Sequence, residues 1–498
     1  MTNKLNVLKE IEIGERVAED ESDQLEKYFL ETDQWNQIFN GKIDIVYGPK
    51  GSGKSALYTL LNKKDGELFD RNVILSPAES IRGATVFKDI ITTPPPSEFY
   101  LIYLWKIYGL CIIAKSLREY EINNKNAKHL IETLEKADLL PKSGSILSIF
   151  RAVSSYMKNL LNRDSTSTTH TLKIDPNTGA PTYSLKNDYS EKTDTQSLEE
   201  IPVEELFEIA ELALNEDNLS VWLLFDRLDV AFADSPDLER NALRALFRAY
   251  SDLKAYNNIK MKIFVRDDIW QRITAGGFTE ASHITRAIHI KWSEESLLNL
   301  VMLRLINNDS LVKYSDINTD EVKSDYQKQH DLFYSLVPTK IDTGNNPDTF
   351  KWILSRTTDS SKNSVPREVI HLIEEAKKNQ ISELERGGVE PSDSNLFNRT
   401  VFREALITVS KVRYEQTLLA EHPGMREYLE KLKTEKSEQS IASLSKIWSV
   451  DQEKAKIVAS RLCEIGFFET RGTKEKPSYW VPFLYRHALN LVQGKSGV

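Results

Sequence analysis

The sequence predicts an α/β fold built on a parallel sheet, followed by a helical domain and a C-terminal winged helix. Three observations lead to this prediction. Apolar runs that alternate with helical patterns end at Gly48, Asp226 and Arg266, as strands of a parallel sheet covered by helices do. From Ser293 onward the periodicity is helical. The C-terminal segment carries two short helical patterns and then a two-stranded pattern, which is the order of a winged helix-turn-helix.

Length and composition indicate a soluble protein of several domains. The chain has 498 residues, more than one ordinary hydrophobic core requires, and 40% of them are hydrophobic and 28% charged. Two cysteines, Cys111 and Cys463, lie too far apart in the sequence to suggest a disulfide framework or a zinc site. The polar N-terminus lacks the apolar core of a signal peptide. Together these features predict a cytoplasmic location.

The charge is uneven along the chain. The net charge of −9 argues against a protein that coats nucleic acid over its whole surface. Residues 401–498 hold 16 Lys and Arg against 12 Asp and Glu, a net charge of +4, whereas the remainder holds 49 against 62, a net charge of −13. A mildly basic C-terminal domain is compatible with contact to double-stranded DNA but does not require it.

Residues 1–40 are predicted to form a helical lead-in and residues 41–292 the sheet-containing core. Continuous apolar runs predict buried strands, and amphipathic spacing predicts the helices between them. The predicted strands after Gly48 cover residues 72–78, 219–225, 260–265 and 286–292, and the predicted helices cover residues 52–63, 203–214 and 238–253.

Residues 85–200 are predicted to be an insertion into this core. Its longest apolar run, residues 99–114, contains Lys106 and is short for a membrane span, so we expect a buried helix and no membrane partner. From Asn162 to Glu199 the composition changes to Ser, Thr, Asn and Asp. That composition indicates a surface loop or a small hairpin.

Residues 293–399 are predicted to form a helical domain behind the sheet. Ser293 is a suitable cap for its first helix, and a later helix begins near Pro366 and ends before Gly387. Residues 400–498 are predicted to form the winged-helix domain. Its two helices are predicted at residues 440–448 and 451–464, and the wing strands at residues 467–471 and 478–481.

The strongest functional signal is the pattern G-x-x-x-x-G-K-S between a predicted strand and a predicted helix. Glycines let the backbone wrap a phosphate closely, and the loop amides and the helix N-terminus point positive dipoles at the anion. This is the phosphate-binding loop of nucleoside triphosphatases. Lys54 is expected to reach the β- and γ-phosphates and Ser55 to hold Mg²⁺. The predicted nucleotide contacts are Gly48, Pro49, Lys50, Gly51, Ser52, Gly53, Lys54, Ser55 and Ala56.

Two acidic residues follow the apolar strand at residues 219–225. Asp226 ends it directly, as the acid on the Mg²⁺ side of such a site must, and Asp229 comes three residues later. Asp229 is the candidate to polarise an attacking water. The alternative is that both acids cap the next helix.

Two arginines are candidates to respond to the γ-phosphate. Arg266 ends the next strand, where a cation would lie near the terminal phosphate, and the alternative is a salt bridge to Asp267 or Asp268. Arg367 opens a helix of the helical domain and could report the nucleotide state by moving that domain. The alternative for Arg367 is a solvent-exposed arginine in a first helical turn.

Basic residues in the winged-helix domain are candidates for phosphate contacts with DNA. The second helix of the domain carries three and the wing carries three. Winged helices also serve as protein-docking modules, so contact with a partner protein remains the alternative. The six residues are Lys454, Lys456 and Arg461 on the helix and Arg471, Lys474 and Lys476 on the wing.

Taken together, these motifs resemble the STAND and origin-recognition branch of the AAA+-related P-loop ATPases. The resemblance rests on G-P-K-G-S-G-K-S, V-W-L-L-F-D-R-L-D, K-I-F-V-R-D-D and V-P-R-E-V-I, followed by a winged helix. The lead-in G-E-R-V-A-E resembles bacterial stand-alone P-loop ATPases, some encoded beside defence genes. The resemblance implies ATP as ligand, Mg²⁺ as cofactor and a switch that couples nucleotide state to assembly.

Carried over residue by residue, the resemblance implies phosphate and Mg²⁺ binding by Lys54 and Ser55. It also implies an acidic pair of Asp226 and Asp229 and sensor roles for Arg266 and Arg367. An Asp-Glu pair at the end of the second motif is absent, so the identity of the catalytic base stays open.

Three functions compete. The first is an ATP-hydrolysing switch that controls an unidentified effector or partner, or assembles as a homo-oligomer, in bacterial anti-phage defence by resemblance. The second is a DNA-binding ATPase akin to replication initiators and loaders. The third is a nucleotide-binding scaffold that does not hydrolyse. A GTPase is disfavoured, because the one N-K-x-D match, residues 62–65, stands at the far end of the helix predicted after the phosphate loop, about 15 Å from a nucleotide bound there.

Overall fold

A computed structural model describes residues 3–15, 21, 25–78, 98–142, 144–161, 167–174, 181–188, 202–228, 236–275, 284–473 and 476–496. The chain divides into two compact units. We call residues 1–63, 264–270 and 286–498 the phosphate-loop unit, and residues 64–263 and 271–285 the insertion unit. The domain boundaries expected at residues 40, 292 and 399 remain a prediction.

The predicted α/β class is confirmed. Five strands form a parallel sheet in the order β2-β5-β6-β1-β7. The paired registers run Ile45 to Ala287 for β1 and β7, Val73 to Ser220 for β2 and β5, and Val221 to Ile259 for β5 and β6. The strands are β1 Ile45–Gly48, β2 Val73–Pro77, β5 Ser220–Phe225, β6 Ile259–Arg266 and β7 Ala287–His289.

Helices account for most of the remaining chain. In the insertion unit they are Asp65–Phe69, Glu98–Glu119, Lys125–Lys136, Ile146–Leu161, Val203–Glu216 and Pro236–Leu253. Asp267–Ala275 follows β6. In the phosphate-loop unit they are Lys4–Glu10, Asp33–Phe39, Lys54–Lys63, Glu294–Ile306, Asp309–Ser315, Thr319–Ser324, Tyr326–Leu336, Thr349–Thr357, Pro366–Glu385, Arg399–Arg413, Arg426–Glu430, Ile441–Trp448, Gln452–Glu464 and Phe483–Arg486. This unit also has 3-10 turns at Leu25–Tyr28 and Pro423–Met425 and a π-helix at Tyr414–Leu419.

The helix Glu98–Glu119 forms the centre of the insertion unit. It is long and apolar enough to cross a membrane by length and composition, but 83% of its most apolar window is buried inside the fold. Its Trp105 donates to the carbonyl of Ala242 at 2.8 Å. Burial alone would lower the pKa of Lys106, but ion pairs with Asp252 and Glu204 outweigh it and raise that pKa. The expectation of a buried helix in this segment is confirmed.

The polar part of the predicted insertion contains a hairpin within the described residues. Strand β3, Ser167–Ile174, pairs antiparallel with β4, Pro181–Asp188. This agrees with one of the two alternatives, a small hairpin.

The helical segment after β7 begins and ends as its end signals predict. Ser293 and Ser296 form a reciprocal capping box at the start of the first helix. Pro366 takes the first position of the helix Pro366–Glu385, where its missing N–H costs no hydrogen bond. The strand β7 is shorter than predicted, because the alternation continues to Trp292 while pairing with β1 stops at His289.

The winged helix is present, with a more extensive sheet than the sequence predicts. Its four strands run in the order β11-β8-β10-β9. The wing strands β9 and β10 pair antiparallel as expected, with Arg471 opposite Ser478. The strand β8 was not predicted, because its buried side chains, Ser437 and Gln439, are polar. The strands are β8 Lys436–Ser440, β9 Glu469–Gly472, β10 Pro477–Trp480 and β11 Val492–Lys495.

A buried ion pair ties the N-terminal segment to the first helix after the sheet. Arg304 binds Glu21 through two hydrogen bonds of 2.6 and 2.9 Å, and it also donates to the carbonyl of Ile13. The two side chains are 6% and 4% exposed. The guanidinium also lies over the ring of Tyr28. Burial and the Glu21 carboxylate raise the pKa of Tyr28.

We predict that Glu21→Gln destabilises the phosphate-loop unit by about 3 kcal/mol, because it leaves the buried Arg304 charge without its counter-charge. Urea unfolding followed by circular dichroism measures the loss. Glu26→Gln, at an exposed position of the neighbouring turn, is the control. Equal stability of the two variants would show that this pair does not anchor the N-terminal segment.

Candidate functional site

The phosphate loop has the backbone that its glycines predict. Gly51 and Gly53 have φ angles of +83° and +98°, in the left-handed region that favours glycine. A Cβ at Gly53 would meet no atom of the described residues within 4 Å, so these residues leave space beside the loop at that point. The helix that follows begins at Lys54, and Lys54, Ser55 and Ala56 are its first three residues. Their amides therefore lie at the helix end that attracts anions.

Lys54 folds back over the loop. Its Nζ donates to the carbonyl oxygens of Gly48 and Pro49 at 2.8 and 2.9 Å, and the residue is 9% exposed. The indole of Trp292 donates to the carbonyl of Ser52 at 2.9 Å. The buried hydroxyl of Ser52 has no hydrogen-bond partner among the described residues. The loop thus holds a buried polar group that no atom in the described part of the chain satisfies.

The helix Pro366–Glu385 begins directly against the loop. A Cβ placed on Gly51 would lie 3.0 Å from the Cβ of Arg367 and 3.3 Å from Oε2 of Glu368. Within the part of the chain that the structure describes, Nε of Arg367 and Oε2 of Glu368 are buried and lack hydrogen-bond partners. The structure therefore brings the predicted sensor Arg367 to the phosphate loop, and not to an exposed first turn.

Arg413 anchors the start of that helix from the side of the winged-helix domain. Its guanidinium binds Glu368 at 2.8 Å and Asp359 at 3.5 Å. Burial alone would lower the pKa of Arg413, but these carboxylates outweigh it and raise that pKa. Burial also raises the pKa of the neighbouring Tyr485 to about 12. Arg413 thus remains charged and holds Glu368, the residue next to Arg367, in place.

Arg266 is engaged with carboxylates at the end of β6. It binds Asp268 through two contacts of 2.9 and 3.1 Å, which is the salt bridge that the sequence left as an alternative. Its Nη2 also donates to Glu421 at 3.0 Å. The other oxygen of Glu421 pairs with Lys50 of the phosphate loop. One carboxylate therefore joins a loop lysine to the predicted sensor arginine.

Of the two predicted acids, only Asp226 lies among the described residues. Asp226 follows β5 directly, is 5% exposed and belongs to the insertion unit. Asp229 lies outside the described residues, so its role stays a prediction. No cluster of three or more His, Cys, Asp or Glu that could hold a metal ion occurs among the described residues. Mg²⁺ in phosphate sites usually takes only one or two carboxylates.

A cavity of about 170 Å³ opens beside the phosphate loop. Half of its lining residues are apolar: Pro49, Ile290, Trp292, Leu297 and Leu354. The other half are polar or charged: Lys291, Glu294, Lys362, Asn363 and Ser364. Apolar walls with a few polar groups are typical of sites that bind small ligands.

The basic candidates of the winged-helix domain fall into two classes. Lys454, Lys456 and Arg461 are exposed on the helix Gln452–Glu464, and Arg461 pairs with Glu464 at 2.8 Å. Exposed Ile457, 69% accessible, lies among them. Lys476 is exposed on the wing, and Lys474 lies outside the described residues.

Arg471, by contrast, has a packing role. Its guanidinium lies 3.7 Å from the ring centre of Trp480 and pairs with Glu469. Arg486 also lies over Trp480, and with Arg356 it contacts the ring of Phe483. Burial and the nearby Arg356 and Arg471 lower the pKa of Arg486 to about 10. These stacked arginines fix the base of the wing.

Three residues of the site were missed by sequence reasoning. Trp292 was assigned only to a strand, although its position just after that strand is a usable signal in such a fold. Arg413 and Glu421 were missed because nothing local marks them. Their partners are distant in the sequence: Arg413 binds Glu368, which is 45 positions away, and Glu421 binds Lys50, which is 371 positions away.

Comparison with known proteins gives only distant structural similarity. No family model matches the chain, and no curated protein matches it. The Aeropyrum pernix ORC1 protein, solved in complex with DNA, is 10% identical, with 90% of this chain and 86% of that chain covered and a TM-score of 0.37. A Walker-type ATPase of Pyrococcus abyssi is 9% identical, with 93% and 96% covered and a TM-score of 0.40.

The Aeropyrum pernix ORC2 protein, solved as ADPNP–ADP complexes, is 11% identical, with 97% of each chain covered and a TM-score of 0.29. None of these three structures is described as a STAND protein, so that part of the resemblance stays a prediction. At such TM-scores these similarities carry no argument for this chain, and the function is argued from its own residues.

We predict that Gly51→Ala lowers affinity for a fluorescent ATP analogue about tenfold, because a Cβ would strain the left-handed turn and press on Arg367. Fluorescence titration measures the affinity. Gly66→Ala is the matched control, since a Cβ there meets nothing within 4 Å and Gly66 lies in a helix. Unchanged affinity in Gly51→Ala would contradict nucleotide binding at this loop.

Proposed function

We propose that this protein is an ATP-binding and ATP-hydrolysing switch whose nucleotide state is coupled to its helical and winged-helix domains. One observation carries the proposal: a phosphate loop of the sequence G-P-K-G-S-G-K-S stands against the N-terminal turn that presents Arg367. A glycine-lined turn, a helix N-terminus and cations on neighbouring segments are what a polyphosphate requires.

The residues present fit a bound phosphate. The loop is open at Gly53, and the Ser52 hydroxyl is a buried polar group that lacks a partner among the described residues. On this proposal Lys54 exchanges the carbonyl oxygens of Gly48 and Pro49 for phosphate oxygens. Hydrogen bonds between the ammonium group of Lys54 and phosphate oxygens carry charge on both partners, and such charge-assisted hydrogen bonds are the stronger kind.

Ser55 is the residue of this unit that would hold Mg²⁺, since hydroxyl and phosphate oxygens are the ligands that this hard cation prefers. The ion would neutralise charge on the phosphates. Arg266 and Arg367 would place further positive charge near the terminal phosphate, where charge develops during transfer. Asp226 as the second metal ligand and Asp229 as the residue that orients water remain proposals from the sequence pattern.

The cavity beside Pro49 is the candidate position for the nucleobase. Its walls of Ile290, Trp292 and Leu354 suit a flat, mostly apolar ring, and Ser364 and Asn363 offer polar contacts at the edge. The one N-K-x-D match, residues 62–65, stands at the far end of the helix Lys54–Lys63, about 15 Å from the loop, which is too far to read a guanine base there. ATP is therefore the proposed nucleotide.

A second candidate function, a DNA-binding ATPase, is favoured by the exposed basic face of Gln452–Glu464. Lys454 and Arg461 lie on one side of that helix with Ile457, whereas exposed Lys456 points away from Lys454, since residues two apart on a helix do not face each other. Lysines contact backbone phosphates, and an apolar side chain suits a thymine methyl group in the major groove. The role in anti-phage defence rests on family resemblance alone, and the effector remains unidentified.

We predict that the purified protein hydrolyses ATP and that Lys54→Ala lowers turnover about a hundredfold or more, because the variant lacks the cation that binds the β- and γ-phosphates. Released phosphate is measured with and without double-stranded DNA. Lys63→Ala, at an exposed position of the same helix, is the matched control. Tight ATP binding without turnover would favour the non-hydrolysing scaffold, and turnover that survives Lys54→Ala would refute the proposed site.

We predict for the DNA-binding candidate that the triple variant Lys454→Gln, Lys456→Gln and Lys476→Gln weakens duplex binding and reduces the salt slope by about three, one per lost phosphate contact. Fluorescence anisotropy over a salt series measures both. The control replaces three exposed lysines of the insertion unit, Lys125, Lys128 and Lys136, by Gln. Binding that is insensitive to salt, or equal losses in both variants, would eliminate this surface as the DNA site.

A further inference from the structure

We propose that Glu421 senses occupancy of the phosphate loop: its carboxylate pairs with Lys50 and Arg266, and the γ-phosphate of ATP displaces it from both. The inference rests on the proposed function, since it requires that the loop binds ATP. It assigns a regulatory role to a residue that lies outside every motif of the sequence.

The first observation is the arrangement of the two ion pairs. Oε1 of Glu421 binds Nζ of Lys50, and Oε2 accepts from Nη2 of Arg266 at 3.0 Å. All three side chains are partly exposed: Lys50 by 29%, Glu421 by 22% and Arg266 by 18%. Water can therefore reach the cluster, which means that an entering anion can compete with the carboxylate.

The second observation concerns which cations Glu421 engages. Lys50 belongs to the loop that would wrap the phosphates, and Arg266 ends β6, where the sequence predicts a cation near the terminal phosphate. One carboxylate bridges both. The γ-phosphate of ATP carries more negative charge than a carboxylate and has three acceptor oxygens, so it is the stronger partner for the same pair of donors. ADP lacks that group and should leave the bridge in place.

The third observation is the path of the chain around Glu421. The helix Arg399–Arg413 ends at Arg413, which binds Glu368 beside Arg367. It continues as the π-helix Tyr414–Leu419, and Glu421 follows two residues later. A single segment thus contacts the site at both of its ends. The same segment leads into the winged-helix domain, whose first strand begins at Lys436.

The π-helix Tyr414–Leu419 is the part of this segment where we expect the backbone conformation to change. π-turns inside helices have poorer hydrogen-bond geometry than α-turns and occur often at functional sites. Here the wide turn separates the Arg413 anchor from the Glu421 contact. Release of Glu421 would free the C-terminal end of the segment while Arg413 holds the other end. The nucleotide state would thereby reach the connection to the winged helix.

The test compares Glu421→Gln with wild type in two measurements. Glutamine keeps the size of the side chain but removes the charge that competes with phosphate. We expect the Kd for a non-hydrolysable ATP analogue to fall about 3- to 10-fold, and the Kd for ADP to stay within about twofold. Glu415→Gln, exposed on the π-helix, is the matched control and should leave both constants unchanged.

The second measurement is amide hydrogen exchange over residues 414–430. In wild type the ATP analogue should speed exchange there and ADP should not, because only the terminal phosphate displaces Glu421. In Glu421→Gln exchange should already be fast without nucleotide. The inference would be overturned if the ATP analogue did not change the exchange rate of residues 414–430 in wild type, or if Glu421→Gln left the affinity for ATP unchanged.

The two proposals fail in different ways. If wild type binds neither nucleotide and Lys54→Ala makes no difference, the proposed function is wrong. If wild type binds ATP in a manner that depends on Lys54 while Glu421→Gln behaves as Glu415→Gln does, only the role of Glu421 is wrong. Equal gains in ATP and ADP affinity also contradict the inference, because they would show general electrostatic attraction.

Discussion

The close approach of a helix N-terminus to the phosphate loop is the constraint on which the site depends. Gly51 must lack a Cβ both because its φ angle is positive and because the Cβ of Arg367 occupies the space that a side chain would need. This contact fixes where Arg367 and Glu368 stand. The loop and the helix Pro366–Glu385 therefore form one site, although Gly51 and Pro366 are 315 positions apart in the sequence.

Several cationic side chains lie around the loop, and they differ in the groups that they bind. The contacts of Lys54 include two carbonyl oxygens, Arg413 binds two carboxylates, and Lys50 and Arg266 both bind Glu421. Clustered positive charge raises the free energy of a fold unless counter-charges lie close by. Carboxylates on the helical and winged-helix segments supply that compensation. An entering polyphosphate would compete for the same donors, so binding and domain contacts are linked by electrostatics.

The sequence predicts the parts of this protein that local patterns encode. Continuous apolar runs predict β5 and β6, and Pro366 marks the first residue of a helix. The phosphate loop follows from a motif of eight consecutive residues, G-P-K-G-S-G-K-S. The strand β8 is not predicted, because its buried residues, Ser437 and Gln439, are polar and the sequence therefore shows no alternation of apolar and polar residues. The contacts of Glu421 and Arg413 are not predicted either, because their partners are remote in the sequence. Hydrophobic patterns specify elements, whereas ion pairs between distant segments follow only from the assembled fold.

The hydrogen bond from Trp292 to the carbonyl of Ser52 gives the protein a built-in optical reporter. The indole is held against the backbone of the phosphate loop and also lines the neighbouring cavity. Its emission depends on the polarity around the ring and on that hydrogen bond. The chain contains eight tryptophans, so the signal is obtained by difference from a variant with phenylalanine at this position. Movements of the loop can then be timed in stopped-flow experiments on unlabelled protein.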